Sequence, residues 1–148
     1  LMMCQWLADQ GVVMIEQPMP KHMNEEHAWL CEQVNLPILA DEACQTYDDV
    51  EKLAPYYDGI NIKLMKCGGV AEARKMIALA RELGMQVMIG CMTETRAGIS
   101  AATILSPLVD YADLDGHVLI ANDPYDGIQI VDGKLTLVDK PGTGVSPL

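Results

Sequence analysis

The sequence predicts an α/β fold made of successive βα units, and three observations carry that prediction. Short apolar runs alternate with helical patterns along most of the chain. The runs are rich in Val, Ile, Leu and Met without a clean polar alternation, as in parallel strands covered on both faces. Polar residues close the runs at a near-constant interval, at Glu16, Asp41, Lys63, Cys91 and Asp115. That period fits the unit of a (β/α)₈ barrel, and an open doubly wound sheet would fit it nearly as well. No G-x-G-x-x-G follows a strand, which counts against a dinucleotide fold.

The elements follow in order. Leu1 to Ala8 reads as the end of an apolar helix closing at Gly11. Leu1 is not an initiator Met, so the expectation is a protein that continues upstream, where any secretion signal would lie. The five strands are expected at Val12–Ile15, Pro37–Ala40, Gly59–Ile62, Gln86–Gly90 and Val109–Leu114. Helices are expected at Asn24–Val34 with Asn24 as cap, Thr46–Leu53 with Thr46 as cap, Val70–Leu83 and Thr95–Leu105. Val70, Ala73, Ile77, Ala80 and Leu83 trace one apolar stripe, and Gly84 ends it. Strand–helix alternation of this kind means right-handed βαβ crossovers. Gly127–Val138 reads as a hairpin around Asp132-Gly133, and Pro141 to Gly144 ends regular structure. The division expected is residues 1–126 as barrel and 127–148 as a tail that packs outside it.

The chain has 148 residues, half of them hydrophobic, so one domain with a sizeable core is expected. Its formal net charge of −11 argues against nucleic acid or an anionic membrane as partner. Cys4, Cys31, Cys44, Cys67 and Cys91 form no CxxC pair and are odd in number, so a disulfide framework or structural zinc site is not expected. Free thiols suggest a reducing compartment, and a cytoplasmic location is the expectation. No apolar run approaches the ~20 residues of a membrane span.

Glu16, Asp41, Lys63 and Asp115 each sit at the C-terminal end of an apolar run. In a barrel those ends meet on one face, where active sites lie. Glu16 and Asp41 on neighbouring strands can hold a hard divalent cation, although loop or helix-cap carboxylates would read the same way. Pro18 ends the strand just after Glu16 and fixes that side chain at the mouth. Lys63 is a candidate general base with a lowered pKa, or else a snorkelling or paired lysine. Lys66 competes with it, and Lys63 is preferred because it is nearer the strand while Lys66 falls in the turn before Gly68-Gly69. Asp113 and Asp115, two apart, face one way on a strand and would suit an ammonium group or a metal, while Asp115-Gly116 is equally a turn. His22, His27 and His117 read as solvated or packed, Met65, Met85 and Met88 as core, and Gly68-Gly69 as a tight turn.

Five runs carry a resemblance: Ile15-Glu16-Gln17-Pro18, Ala40-Asp41-Glu42, Asn61 to Gly69, Gly90 to Thr95, and Asp113-Leu114-Asp115. Together they resemble the C-terminal part of an enolase-superfamily barrel of the muconate-lactonising subgroup. The Lys-Leu-Met-Lys and Asp-x-Asp runs resemble the dipeptide epimerases most narrowly. The resemblance implies about five βα units of a (β/α)₈ barrel plus the tail, with the capping domain and first barrel strands elsewhere. It implies Mg²⁺ as cofactor, with Glu16 and Asp41 as two of its three carboxylate ligands. It implies Lys63 as acid/base, Cys91, Met92 and Thr93 lining the substrate site, and Asp113 and Asp115 receiving a dipeptide's α-ammonium.

The implied reaction is a 1,1-proton transfer at the carbon α to the terminal carboxylate of an Ala-Glu-like dipeptide, as in cell-wall peptide turnover. The resemblance implies that Glu16 and Asp41 are the second and third metal ligands and that the first ligand and the second base belong to earlier strands outside this sequence, so these residues alone are expected to be inactive. A homo-oligomer is a further expectation from resemblance. A muconate cycloisomerase or o-succinylbenzoate synthase would leave the aspartate pair idle, and a non-catalytic half-barrel binding module would need none of these residues.

Overall fold

Five apolar runs form one parallel sheet in a computed structural model that describes residues 1–148. The strands are β1 (Ile15–Glu16), β2 (Ile38–Ala40), β3 (Gly59–Lys63), β4 (Gln86–Gly90) and β5 (Tyr111–Ala112). They lie side by side in chain order, and every neighbouring pair is parallel. Sequential order has a topological consequence. Right-handed crossovers that always step the same way put every connecting helix on the same face of the sheet. A doubly wound sheet needs a reversal of direction, and there is none. The sheet is therefore an arc of βα units with helices outside, as in part of a (β/α)₈ barrel.

The helices are α1 (Met2–Asp9) before the sheet, α2 (Asn24–Gln33), α3 (Tyr47–Leu53), the short α4 (Leu64–Cys67), α5 (Val70–Glu82) and α6 (Arg96–Thr103). None is long and apolar enough to cross a membrane. In α5 the buried positions are Ala73, Met76, Ile77 and Ala80. Met76 thus joins the stripe in place of Leu83, which is 39% exposed at the helix end. Helix α3 starts at Thr46 as expected, and the Asp49 carboxylate reaches back to accept the Thr46 and Gln45 amides. Asn24 is not a cap. It is the first residue inside α2, Met23 holds the cap position, and the Asn24 Oδ1 is buried without a partner.

Strand alternation sorts the core. Ile38, Ala40, Ile60, Ile62, Val87 and Ile89 pack outward with Val50, Leu53, Ala73, Ile77 and Ile99. The residues between them, Leu39, Asn61, Met88 and Gly90, share the inner face with Glu16 and Lys63 by register. A polar alternation does exist in β3, where Asn61 and Lys63 interleave with Ile60 and Ile62. The outer strands are shorter than expected. Val12 instead closes α1 through a bond to Leu7, and Val13 is 66% exposed. Val109 is drawn into a 3₁₀ turn over Ser106–Leu108, leaving Tyr111 and Ala112 to pair with β4.

After a second 3₁₀ turn at Gly116–Leu119 come β6 (Tyr125–Asp126), β7 (Gln129–Val131), β8 (Lys134–Thr136) and β9 (Ser146–Pro147). Asp132 and Gly133 both take positive φ, as a two-residue hairpin turn requires, and β7 pairs with β8. Regular structure does not end at Gly144, because β9 returns to pair antiparallel with β6. Ile128 is 1% exposed and belongs to the same core cluster as the sheet.

His27 is fully buried against Tyr57, with Nδ1 2.7 Å from the Met23 carbonyl and 3.0 Å from the Tyr57 hydroxyl. Its Nε2 has no partner, so a proton there would place an unpaired charge in the core. Burial therefore lowers the His27 pKa despite the Met23 bond and the nearby Glu26 charge. The unfolded chain then binds more protons just below the ordinary histidine value, so stability is complete above that pH and falls as pH drops through it. Melting temperature should fall between about pH 7.5 and pH 5.5, and the fall should shrink in His27→Gln. A fall of equal size in both proteins would assign the pH effect to other groups.

Candidate active site

The carboxylates and lysines meet at the C-terminal end of β1 to β3. Glu16 ends β1, Asp41 follows β2, and Lys63 ends β3. Lys63 Nζ donates to Asp41 Oδ2 at 2.8 Å and lies 3.8 Å from Glu16 Oε1. Lys66 Nζ donates to Asp41 Oδ1 at 2.7 Å, to the Asp41 carbonyl at 2.6 Å and to the Asn61 carbonyl at 3.3 Å. Asp41 is therefore gripped by a lysine on each oxygen.

Local sequence explains the placement. Gln17, at φ 27°, turns its side chain back so that Oε1 accepts the Asp41 and Ala43 amides at 2.8 and 2.9 Å. That bracket fixes the loop carrying Asp41. Lys63 is the N-cap of α4, whose single turn swings Lys66 under the Asp41 loop. The same turn sends Met65 outward, 68% exposed, so Met65 is not core, whereas Met85 and Met88 are. Gly68 and Gly69 make the tight turn between α4 and α5.

The two lysines differ in what they have left to offer. The Lys66 side chain is 7% exposed and its three protons meet three acceptors. Lys63 is also largely buried but donates one hydrogen bond, to Asp41. The expectation of a lowered Lys63 pKa does not hold in this arrangement. Burial lowers it, but the Asp41 bond and the charges of Asp41, Glu16 and Glu42 outweigh burial, and the net direction is up. Burial works to raise the Asp41 pKa, and the two lysines override it, so the net direction is down.

A second group lies at the ends of the next two strands. Register places Gly90 opposite Lys63, and the amide of Asp113 bonds to Ile89 just past β5. Asp113 and Asp115 are exposed on either side of buried Leu114. Cys91 is half-buried, and Met92 and Thr93 are exposed in the loop before α6. Burial raises the Cys91 thiol pKa, helped by the charges of Asp113, Glu94 and Asp115, so these groups share one neighbourhood. A Cβ on Gly116 would stand 2.0 Å from the Met92 carbonyl oxygen, so glycine lets the Asp115 loop seat on the Met92 loop.

No group of three or more His, Cys, Asp and Glu side chains is arranged to hold a metal ion. Glu16 and Asp41 offer an all-oxygen, anionic pair that suits a hard divalent cation in chemistry but not in number. Sequence reasoning missed Gln17, Asn61, Gly90 and Gly116 as supports of the site. For Asn61 a signal existed, as the one polar residue inside a buried strand two places before Lys63. For the glycines only the close contact reveals the need.

The sequence profile of the family described as enolase C-terminal domain-like matches residues 1–148. An L-Ala-D/L-Glu epimerase of Bacteroides thetaiotaomicron is 56% identical over 143 residues, 97% of this chain and 37% of that protein. An L-Ala-D/L-amino acid epimerase of Flavobacterium johnsoniae is 43% identical over 138 residues, 93% of this chain and 41% of that protein. The crystal structure of a dipeptide epimerase from Methylococcus capsulatus, complexed with Mg and the dipeptide L-Arg-D-Lys, superposes with a TM-score of 0.90 at 34% identity. It is covered over 43% of its length by 97% of this chain. The chain thus spans well under half the length of the relatives it matches.

Replacing Lys66 with Met should strip two carbonyls and a carboxylate oxygen of their buried donor. A loss of about 3–5 kcal/mol is expected in urea unfolding, typical of a broken buried pair. Lys63→Met should cost less, because a single hydrogen bond to Asp41 goes. Equal losses would show that the two lysines support the fold alike.

Proposed function

The chain belongs to the enolase C-terminal domain-like family, and from that membership we propose that it is the C-terminal part of the barrel of a dipeptide epimerase. The observation that carries the reading is the Glu16, Asp41 and Lys63 cluster at consecutive strand ends, two strands away from the exposed Asp113 and Asp115 pair. The relatives named as L-Ala-D/L-Glu and L-Ala-D/L-amino acid epimerases support an Ala-Glu-like substrate.

Each residue has a role that its position allows. Glu16 and Asp41 would hold Mg²⁺, with further ligands from outside this chain. When bound, the cation would supply positive charge for the substrate carboxylate while the adjacent carbon loses its proton. Glu16 and Asp41, shared with the cation, would hold Lys63 less tightly as a paired cation. Lys63 would then exchange a proton with the α-carbon on one face. Asp113 and Asp115 are free to accept the substrate's ammonium, and Cys91, Met92 and Thr93 stand beside them to line the pocket. The partner base for the opposite face would come from the remainder of the barrel. Unpaired Cys4, Cys31, Cys44, Cys67 and Cys91 support a reducing, cytoplasmic setting.

Deuterium uptake at the glutamate α-carbon of L-Ala-L-Glu, followed by NMR in D₂O with Mg²⁺, tests the reading on the full-length protein. Lys63→Ala should lower kcat by about 10²–10⁴-fold. Asp113→Asn and Asp115→Asn should each lower kcat/KM by roughly ten- to a hundredfold, the worth of a charged hydrogen bond. Wild-type rates in the aspartate variants would favour a substrate without an ammonium group. Residues 1–148 alone should show no exchange above background, and Mg²⁺-dependent exchange by them would overturn the division of the site between the two parts of the barrel.

A further inference from the structure

Asn61 is a buried polar residue whose chemistry is only half used for folding. It is 1% exposed on the inner face of β3. Its Nδ2 donates to Glu16 Oε1 at 2.5 Å, while its Oδ1 is buried with no partner. The amide orientation follows from chemistry, since an ionised carboxylate only accepts and must face the NH₂. A buried acceptor without a partner destabilises the fold, and an aliphatic side chain of similar size would avoid that cost. The interaction that offsets this cost is the bond to Glu16.

That bond decides where Glu16 points. Oε1 is the same oxygen that lies 3.8 Å from Lys63 Nζ. Lys63 already donates to Asp41, and without a competing donor Glu16 would close onto the lysine as well. The opposite wall is built for the amide. A Cβ at Gly90 would stand 2.5 Å from Asn61 Oδ1 and 2.8 Å from Nδ2. Asn61 is short and fully enclosed, so it could yield only by leaving Glu16. The carbonyl of Asn61 is itself held by Lys66, which steadies the strand at this point.

We propose that Asn61 is a positioning residue that holds Glu16 by Oε1, off Lys63, so that Oε2 stays available to a divalent cation, and that glycine at position 90 is the clearance this requires. The proposal rests on the reading of Glu16 as a metal ligand. Outer groups that orient a ligand typically change metal affinity about 10–100-fold when removed.

The test is Mn²⁺ binding to the full-length protein, measured by the electron paramagnetic resonance signal of the free ion. Asn61→Ala and the volume-retaining Asn61→Leu should each raise the Mn²⁺ Kd about tenfold or more. Gly90→Ala should do the same by displacing the amide. The double variant Asn61→Ala/Gly90→Ala should bind no worse than Asn61→Ala alone, because the contact that made alanine harmful is gone. A wild-type Kd in folded Asn61→Leu, or Gly90→Ala losses that add in the double variant, would overturn the proposal. Glu16→Gln separates the two ideas. If it loses Mn²⁺ while both Asn61 variants keep it, the positioning role alone fails. If Glu16→Gln binds as wild type, the ligand reading fails and the positioning role with it.

Discussion

The pairing of Asp41 with Lys63 and Lys66 is the constraint on which the rest of the site depends. Three largely buried charges at adjacent strand ends are unfavourable unless each is met in place. Here each Asp41 oxygen takes one lysine, and Lys66 spends its two other protons on the Asp41 and Asn61 carbonyls. The Gln17 side chain supplies the remaining restraint by accepting two amides of the Asp41 loop. Such a network is stable only while the strand register is kept. A slip of one residue in β3 would turn Asn61 and Lys63 to the helices and Ile60 and Ile62 to the mouth.

The sheet and the charged cluster therefore specify each other. The apolar residues of the strands face the helices and build the core, and the polar ones collect inside the arc. The second group of residues is brought to this cluster by the β3–β4 ladder, which aligns Lys63 with Gly90, and by the seat of Gly116 on the Met92 carbonyl. The C-terminal tail secures that region. Asp123 caps the first amide of α6 and pairs with Arg96, while Arg96 also reaches the Tyr125 carbonyl. The tail thereby holds the helix that follows the Met92 loop.

Lys63 shows how a local charge balance sets chemistry. Desolvation alone would depress its pKa. The neighbouring carboxylates reverse the direction. A lysine in this setting is a paired cation, held by the Asp41 hydrogen bond and the nearby Glu16 charge. Lys66 stays paired by geometry, since all three of its donors are committed.

Much of this was legible in the linear sequence. The spacing of apolar runs and of the polar residues that close them determined the βα repeat, and the Glu16, Asp41 and Lys63 positions followed from it. Those are local properties: a strand ends where a charge or proline stops apolar burial. The tertiary structure decided what distance in sequence hides. Sequential strand order separated an arc of a barrel from a doubly wound sheet, because both have the same repeat. Partner choice separated Lys66 from Lys63, because only the fold shows which protons are already used. Contacts between Asn61 and Gly90, and between Gly116 and Met92, exist only across strands and loops, so no pattern along the chain marks them. The sequence by itself determined which residues stand at the strand ends. The packing of neighbouring strands decided which of them are free to act, because free energy at a buried charge depends on what surrounds it in space.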